Sequence, residues 1–333
     1  MLPKKHLSTL ILTLIVYASY LLFSQAFQPT ELNVLGAQTN LRLFEQPESG
    51  QQQLVDAIES AEREILVEIY LLSDKKIINA LVDAREHGVK VMVMMEQHPF
   101  GGSALNPKTK KELDSHAVLT QWSNPSFALT HEKAIIIDAN KAFILTQNLT
   151  TSSFSKNREY DILDTNPIDV TEIRNIFIAD WERKSFSPPA NTNIIESPDN
   201  SRPALTSLLN NATQTIDAET EDIVDTKLVQ LLSNKAKTTK IRLLVPTLSQ
   251  LEANEPALSK LQKSGVQVKT IFSPYMHAKM IIADDKKAYV GSINFSTQSM
   301  DKNRELGIIL TQEDIIQTLS TTFQTDWNKA LPH

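Results

Sequence analysis

The sequence predicts an α/β fold made of two tandem repeats. Three observations carry this. The pattern His-x-Lys-x-x-x-x-Asp occurs at residues 131–138 and again at 277–284, an offset of 146. Helical and strand-like stretches alternate in the same order around both copies. A Ser-, Pro- and Asn-rich join, residues 185–203 with Pro188-Pro189, separates the halves.

The elements can be read in order. Lys4 and Lys5 precede an apolar run over residues 7–23, followed by Ser24-Gln25-Ala26. This is the layout of a secretory signal peptide over residues 1–26, or of an uncleaved anchor over 7–27. Either places the body outside the cytoplasm, exported or membrane-anchored. The first repeat is expected over residues 27–184. Residues 54–63 show helical spacing, and 65–70 are strand-like. Residues 74–87 are helical and stop at Gly88. A buried strand follows at 89–95, then a helix opened by Asn106 and Pro107. The second repeat, residues 204–333, runs through 204–211, 214–218, 226–234, 241–245 and 266–272 in matching order. Each half closes on a helix, near 168–182 and 313–328. Such alternation implies helices layered on a mixed sheet. Asn148 recurs as Asn294, Asn157-Arg158-Glu159 as Asn303-Arg304-Glu305, and Asp180-Trp181 as Asp326-Trp327.

Composition narrows the chemistry. There is no cysteine among 333 residues, which excludes disulfides, thiolate metal sites and a cysteine nucleophile. No Gly-x-Gly-x-x-Gly or Walker loop occurs, and no clustered ligand set calls for a metal or other cofactor. Without residues 1–26 the balance is 31 basic against 39 acidic residues, a net charge of −8. That gives no general attraction to DNA or anionic lipid.

The repeated motifs read as strand hairpins. His131 and Lys133 share a face, with Asp138 at the turn. A two-residue loop at Ala139-Asn140 sets His131 opposite Asn148 and Lys133 opposite Thr146. The same register sets His277 opposite Asn294 and Lys279 opposite Ser292. Asp138 and Asp284 are read as turn formers. The remaining groups suit a phosphodiester. Lys133, Lys279, Thr146, Ser292, Asn148 and Asn294 supply charge and donors for phosphoryl oxygens. One imidazole attacks phosphorus and the other protonates the leaving alcohol. Glu159 and Glu305 are placed to hold a histidine Nδ1–H. Phe100, Phe127, Tyr275 and Met276 flank the motifs as packing or rim residues.

These residues resemble the phospholipase D superfamily, whose signature is HxKxxxxD followed by GSxN and a later Glu. The resemblance covers residues 45–330. The second copy matches in full through Gly291-Ser292-Ile293-Asn294 and Glu305. The first has Leu145-Thr146-Gln147-Asn148 in place of Gly-Ser-x-Asn. The resemblance implies a pseudo-twofold sandwich of two repeats with one shared active site. It also implies a metal-independent reaction through a phosphohistidine, with His131 as nucleophile and His277 as general acid. The substrate expected is a phospholipid membrane, cleaved at the head-group phosphodiester. Nucleic acid, as for a nonspecific endonuclease, is the alternative that the acidic balance disfavours. Phosphatidyl transfer of the cardiolipin synthase kind is a variant on the same chemistry.

Overall fold

Each half builds one sheet, and the two sheets face each other across a shared core. The computed structural model describes residues 40–100, 104–190 and 192–333. The expected leader lies outside these residues. Among them, no helix is long and apolar enough to cross a membrane. The first half contributes β1 (Leu41–Gln46), β2 (Glu64–Ile69), β3 (Lys90–Met95), β4 (Leu119–Trp122), β5 (Lys133–Ile137), β6 (Lys141–Leu145) and β7 (Asn157–Asp164). Their order in the sheet is β1-β7-β6-β5-β2-β3-β4. The second half contributes β8 (Ile194–Ser197), β9 (Thr215–Thr220), β10 (Lys240–Pro246), β11 (Gln267–Ile271) and β12 (Tyr275–Met276). It continues with β13 (Lys279–Ala283), β14 (Lys287–Gly291), β15 (Glu305–Leu310) and β16 (Leu331–Pro332). Their order is β16-β11-β10-β9-β13-β14-β15-β8, with β12 crossing over to pair with β7.

The motif strands are central and buried on both faces, which is why they read as unbroken apolar runs. Ala134 and Ile136 point into the core between the sheets, while Ile135 and Ile137 point to the outer helices. The inner core also takes the closing helices Pro167–Trp181 and Glu313–Lys329. Trp181 and Trp327 stack on Phe177 and Phe323 within them.

Two expectations need correction. Residues 185–203 are not simply a join: β8 lies within them and pairs with β15 as the edge of the second sheet. It matches β1, which pairs with β7 at the edge of the first. β8 has four residues set among Pro, Ser and Asn, and β1, though six residues long, has no strict apolar alternation, so both escaped the sequence pattern. The hairpin register also differs. Ile137 pairs with Lys141 and Ala283 with Lys287, so each loop has three residues rather than two. Asp138 and Ala139, and Asp284 and Asp285, take positive φ to make the turn. The one-residue shift removes the expected pairings of His131 with Asn148 and Lys133 with Thr146, and likewise of His277 with Asn294 and Lys279 with Ser292.

Candidate active site

The chain just before each motif is bound to the other half. Thr130 bridges to Arg304, and the His131 N–H donates to the Arg304 carbonyl at 2.8 Å. On the opposite side Met276 of β12 pairs with Arg158 of β7. Each histidine therefore enters beside the Asn-Arg-Glu of the other repeat. The glutamates follow. Glu305 Oε2 lies 2.9 Å from His131 Nδ1, and Glu159 Oε1 lies 2.7 Å from His277 Nδ1. The sequence offered these pairs without saying which glutamate serves which histidine. The structure exchanges them between repeats.

Paired arginines hold the exchange in place. Arg158 forks onto Asp326 at 2.6 and 3.2 Å and onto Glu48. Arg304 forks onto Asp180 at 2.7 and 3.1 Å, bonds Glu196, and lies over the Phe127 ring. Each arginine thus ties its own strand to the other half's closing helix. Behind Arg304, the buried carboxyl groups of Glu68, Glu132 and Asp180 converge. Burial pushes Glu132 up to about 8, Arg304 only partly offsetting it, and pushes Glu68 well above the carboxylate range. Glu68 and Glu132 keep protons at neutral pH, and Arg304 supplies the positive charge beside them.

The site itself is strongly polarised. Burial lowers the His131 pKa; Glu305 opposes the shift and Lys133 adds to it. His131 is thus a neutral imidazole whose Nδ1–H points to Glu305, leaving its lone pair on Nε2. Burial and the nearby Lys279 push Lys133 down to about 7, against the pull of Glu305. That Lys133 responds to Lys279 and Glu159 puts both repeats' charges in one site. Both lysines donate to the carbonyl of their own histidine. Although burial raises both Glu159 and Glu305, the histidines and lysines outweigh it and hold them below the usual range.

The other expected residues fall into two groups. Thr146 and Ser292 are fully buried. The Thr146 hydroxyl donates to Glu159 at 2.7 Å, and the Ser292 hydroxyl donates to the Leu306 carbonyl. Read as phosphate ligands in the sequence, they stand behind the glutamates and orient them. The side-chain oxygens of Asn148 and Asn294 are buried and unpartnered in both halves. An amide turned about its last bond presents NH₂ at the same place, a donor suited to a phosphoryl oxygen. Asp138 accepts the backbone N–H groups of Glu62, Arg63 and Glu64, and Asp284 those of Thr213, Gln214 and Thr215. Both pin the hairpin turn to the start of the neighbouring strand.

The missing glycine of the first repeat also finds its reason. A Cβ on Gly291 would meet Gly307 Cα at 2.4 Å and the Tyr289 hydroxyl at 2.6 Å. Gly291 makes room for Tyr289, whose hydroxyl accepts the Ile293 N–H. The counterparts of Tyr289 and Gly307 are Phe143 and Asp161, so the close packing that requires Gly291 is not repeated around Leu145.

Two residues at the site, Tyr70 and Glu221, went unread in the sequence, and Tyr275 was read only as a packing or rim residue. Tyr70 packs edge-on against His131, with ring centres 4.7 Å apart, and its face covers Lys133. Glu221 Oε2 lies 3.3 Å from His277 Nε2 and 3.1 Å from Lys279 Nζ. The Tyr275 hydroxyl donates to Glu221 at 2.9 Å. The arginines and their aspartates were visible as repeats at equal offset, but only the fold gave them a task.

Comparison with known proteins agrees with this geometry. The family described as "Cardiolipin synthase, PLD-like domain" matches residues 54–181 and again 205–327. The chain is 21% identical over 340 residues to cardiolipin synthase 1 of Bacillus anthracis, covering 87% of this chain and 66% of that protein. It is 30% identical over 136 residues to phospholipase D of Rickettsia prowazekii (strain Madrid E), covering 40% of this chain and 62% of that protein. The chain thus spans just under two thirds of these relatives' lengths. In fold it is similar to phosphatidylserine synthase of Haemophilus influenzae Rd KW20, with a TM-score of 0.68 at 12% identity over 91% of this chain and 90% of that one.

Proposed function

Because this chain belongs to the phospholipase D superfamily, with both of its repeats matched, we propose that it hydrolyses the head-group phosphodiester of phospholipids through a phosphohistidine. The observation that supports this is the doubled His–Glu pair. Each histidine has its Nδ1 against a buried, ionised glutamate, which leaves Nε2 as the nitrogen to exchange a bond or a proton. Lys133, Lys279, Asn148 and Asn294 would hold the phosphoryl oxygens. In the first step the nucleophilic Nε2 forms a bond to phosphorus as the bond to the leaving alcohol breaks. The other histidine gives that alcohol its proton. In the second step water attacks phosphorus, the N–P bond breaks, and the same histidine takes the water's proton.

A second reading replaces water with an alcohol, giving phosphatidyl transfer. The similarity to a cardiolipin synthase over 87% of the chain favours it. Action outside the cytoplasm follows from the leader read at residues 1–26. Purified protein is to be given mixed phospholipid vesicles, with and without glycerol, and plasmid DNA in parallel. Free head group and phosphatidic acid support hydrolysis, and glycerol-dependent phosphatidylglycerol supports transfer. Cleaved plasmid with intact lipid would replace both with a nuclease.

A further inference from the structure

The two halves of the site are not equivalent, and the difference lies one residue past each central strand. Tyr70 follows β2 and its N–H donates to the Glu132 carbonyl at 3.1 Å. Glu221 follows β9 and its N–H donates to the Ala278 carbonyl at 3.2 Å. Glu132 and Ala278 each come straight after a motif histidine, so Tyr70 and Glu221 are the same position of the repeat. On the first side a ring lies against the histidine and lysine. On the second side a carboxylate contacts both His277 Nε2 and Lys279. A second position changes with it: Tyr275, which donates to Glu221, stands where the first repeat has Leu129. The polar pair Tyr275–Glu221 thus serves only one histidine.

Resting on the two-histidine phosphodiesterase reading, we infer that Glu221 is a positioning residue that holds the proton on His277 Nε2, making His277 the acid and His131 the nucleophile. His277 lies between two carboxylates, Glu159 on Nδ1 and Glu221 on Nε2. That arrangement fits an imidazolium, a positive ring held between two negative groups. His131 has Glu305 on Nδ1 and the apolar edge of Tyr70 beside it, which fits a neutral ring with an available lone pair. Burial pushes Glu221 up, but His277, Lys279 and the bonds from Lys279 and Tyr275 outweigh it and hold it at about 2. It is therefore a full negative charge throughout the working range. Its side chain is 20% exposed, where those of Glu159 and Glu305 are not exposed at all. When substrate binds, the leaving oxygen takes the place of Glu221 as acceptor of the Nε2–H. His131 Nε2 bonds to phosphorus, the P–O bond breaks, and that proton passes to the leaving oxygen.

The test compares Glu221→Gln with wild type on two lipids that share the phosphatidyl group. Phosphatidylglycerol has a leaving alcohol that needs a proton, and phosphatidyl-p-nitrophenol does not. The variant should lose about 10–100-fold in kcat on phosphatidylglycerol, part of what a general acid contributes. Its loss on the nitrophenyl ester should be at least tenfold smaller. The alkaline limb of kcat should move to lower pH, because the carboxylate facing Nε2 is gone. The other charges around Glu221 are Lys279, Glu159, Asp222 and Lys133. Burial pushes Asp222 up to about 6, on the acid side of the profile. A phosphate bound against Lys133 would hold it charged, so kcat rather than kcat/KM is read. Independently of the variant's folding, 15N spectra of histidine-labelled wild type should show His277 as imidazolium and His131 as neutral at pH 7. A neutral His277, equal losses on both lipids, or a variant faster than wild type on both would overturn the proposal. If wild type cleaves neither lipid, the phosphodiesterase reading itself fails, and the inference falls with it.

Discussion

Replacing Glu305 by Gln tests whether the exchange of glutamates between repeats is the catalytic arrangement. As His131 bonds to phosphorus, its ring acquires a positive charge with the proton still on Nδ1. Glu305 is unexposed and 2.9 Å from that nitrogen. At an effective dielectric of about 20, opposite charges at this distance attract by about 5–6 kcal/mol. The amide keeps one hydrogen bond of about a quarter of that size, so the net loss is about 4 kcal/mol. This corresponds to roughly a thousandfold in rate. Replacing the buried carboxylate behind a catalytic histidine in a serine protease costs about tenfold more again. Rapid quench with 32P-labelled phosphatidylglycerol should show acid-labile phosphoenzyme forming about a thousandfold more slowly than in wild type. Formation within tenfold of wild type would refute the argument, because the Glu305–His131 contact would then carry no developing charge.

Three further outcomes follow from the same charges. Lys133, pushed down to about 7, loses its charge as pH rises, so KM for phosphatidylglycerol should climb between about pH 6.5 and 8.5; Lys133→Arg should flatten that climb. Arg304→Met leaves the buried Asp180 without its guanidinium partner and should cost about 3–5 kcal/mol in urea unfolding at pH 7.5. Glu132, Glu196 and Glu219 are each pushed up to about 8 by burial, so the folded chain keeps protons that the unfolded chain loses above about pH 4.5. Stability should therefore fall as pH rises towards 8, by about 1.4 kcal/mol per unit for each proton, and Glu132→Gln should make the fall shallower.

Much of the architecture could be read before folding, because repetition is a property of the chain itself. The alternation of helices and strands survived, since strands buried on both faces leave long apolar runs. The edge strands β1 and β8 did not announce themselves: β8 has four residues among Pro and Ser, and β1 lacks a strict apolar alternation. The hairpin register was also out of reach. Asp138 and Asp284 settle it by binding three backbone N–H groups each of a segment about 70 residues away or more, and no local turn rule contains that contact.

The sequence by itself determined the chemistry: two imidazoles, two ammonium groups, two amides and two carboxylates, spaced alike in two copies. The tertiary structure decided who acts on whom. Glu305 reaches His131 across 174 residues of chain, and Arg158 reaches Asp326 across 168. Such pairings depend on how two sheets pack face to face. The packing also breaks the symmetry the repeat suggests. Tyr70 and Glu221 share a backbone position, yet only the fold shows that each lies against a motif histidine, one with a ring and one with a charge.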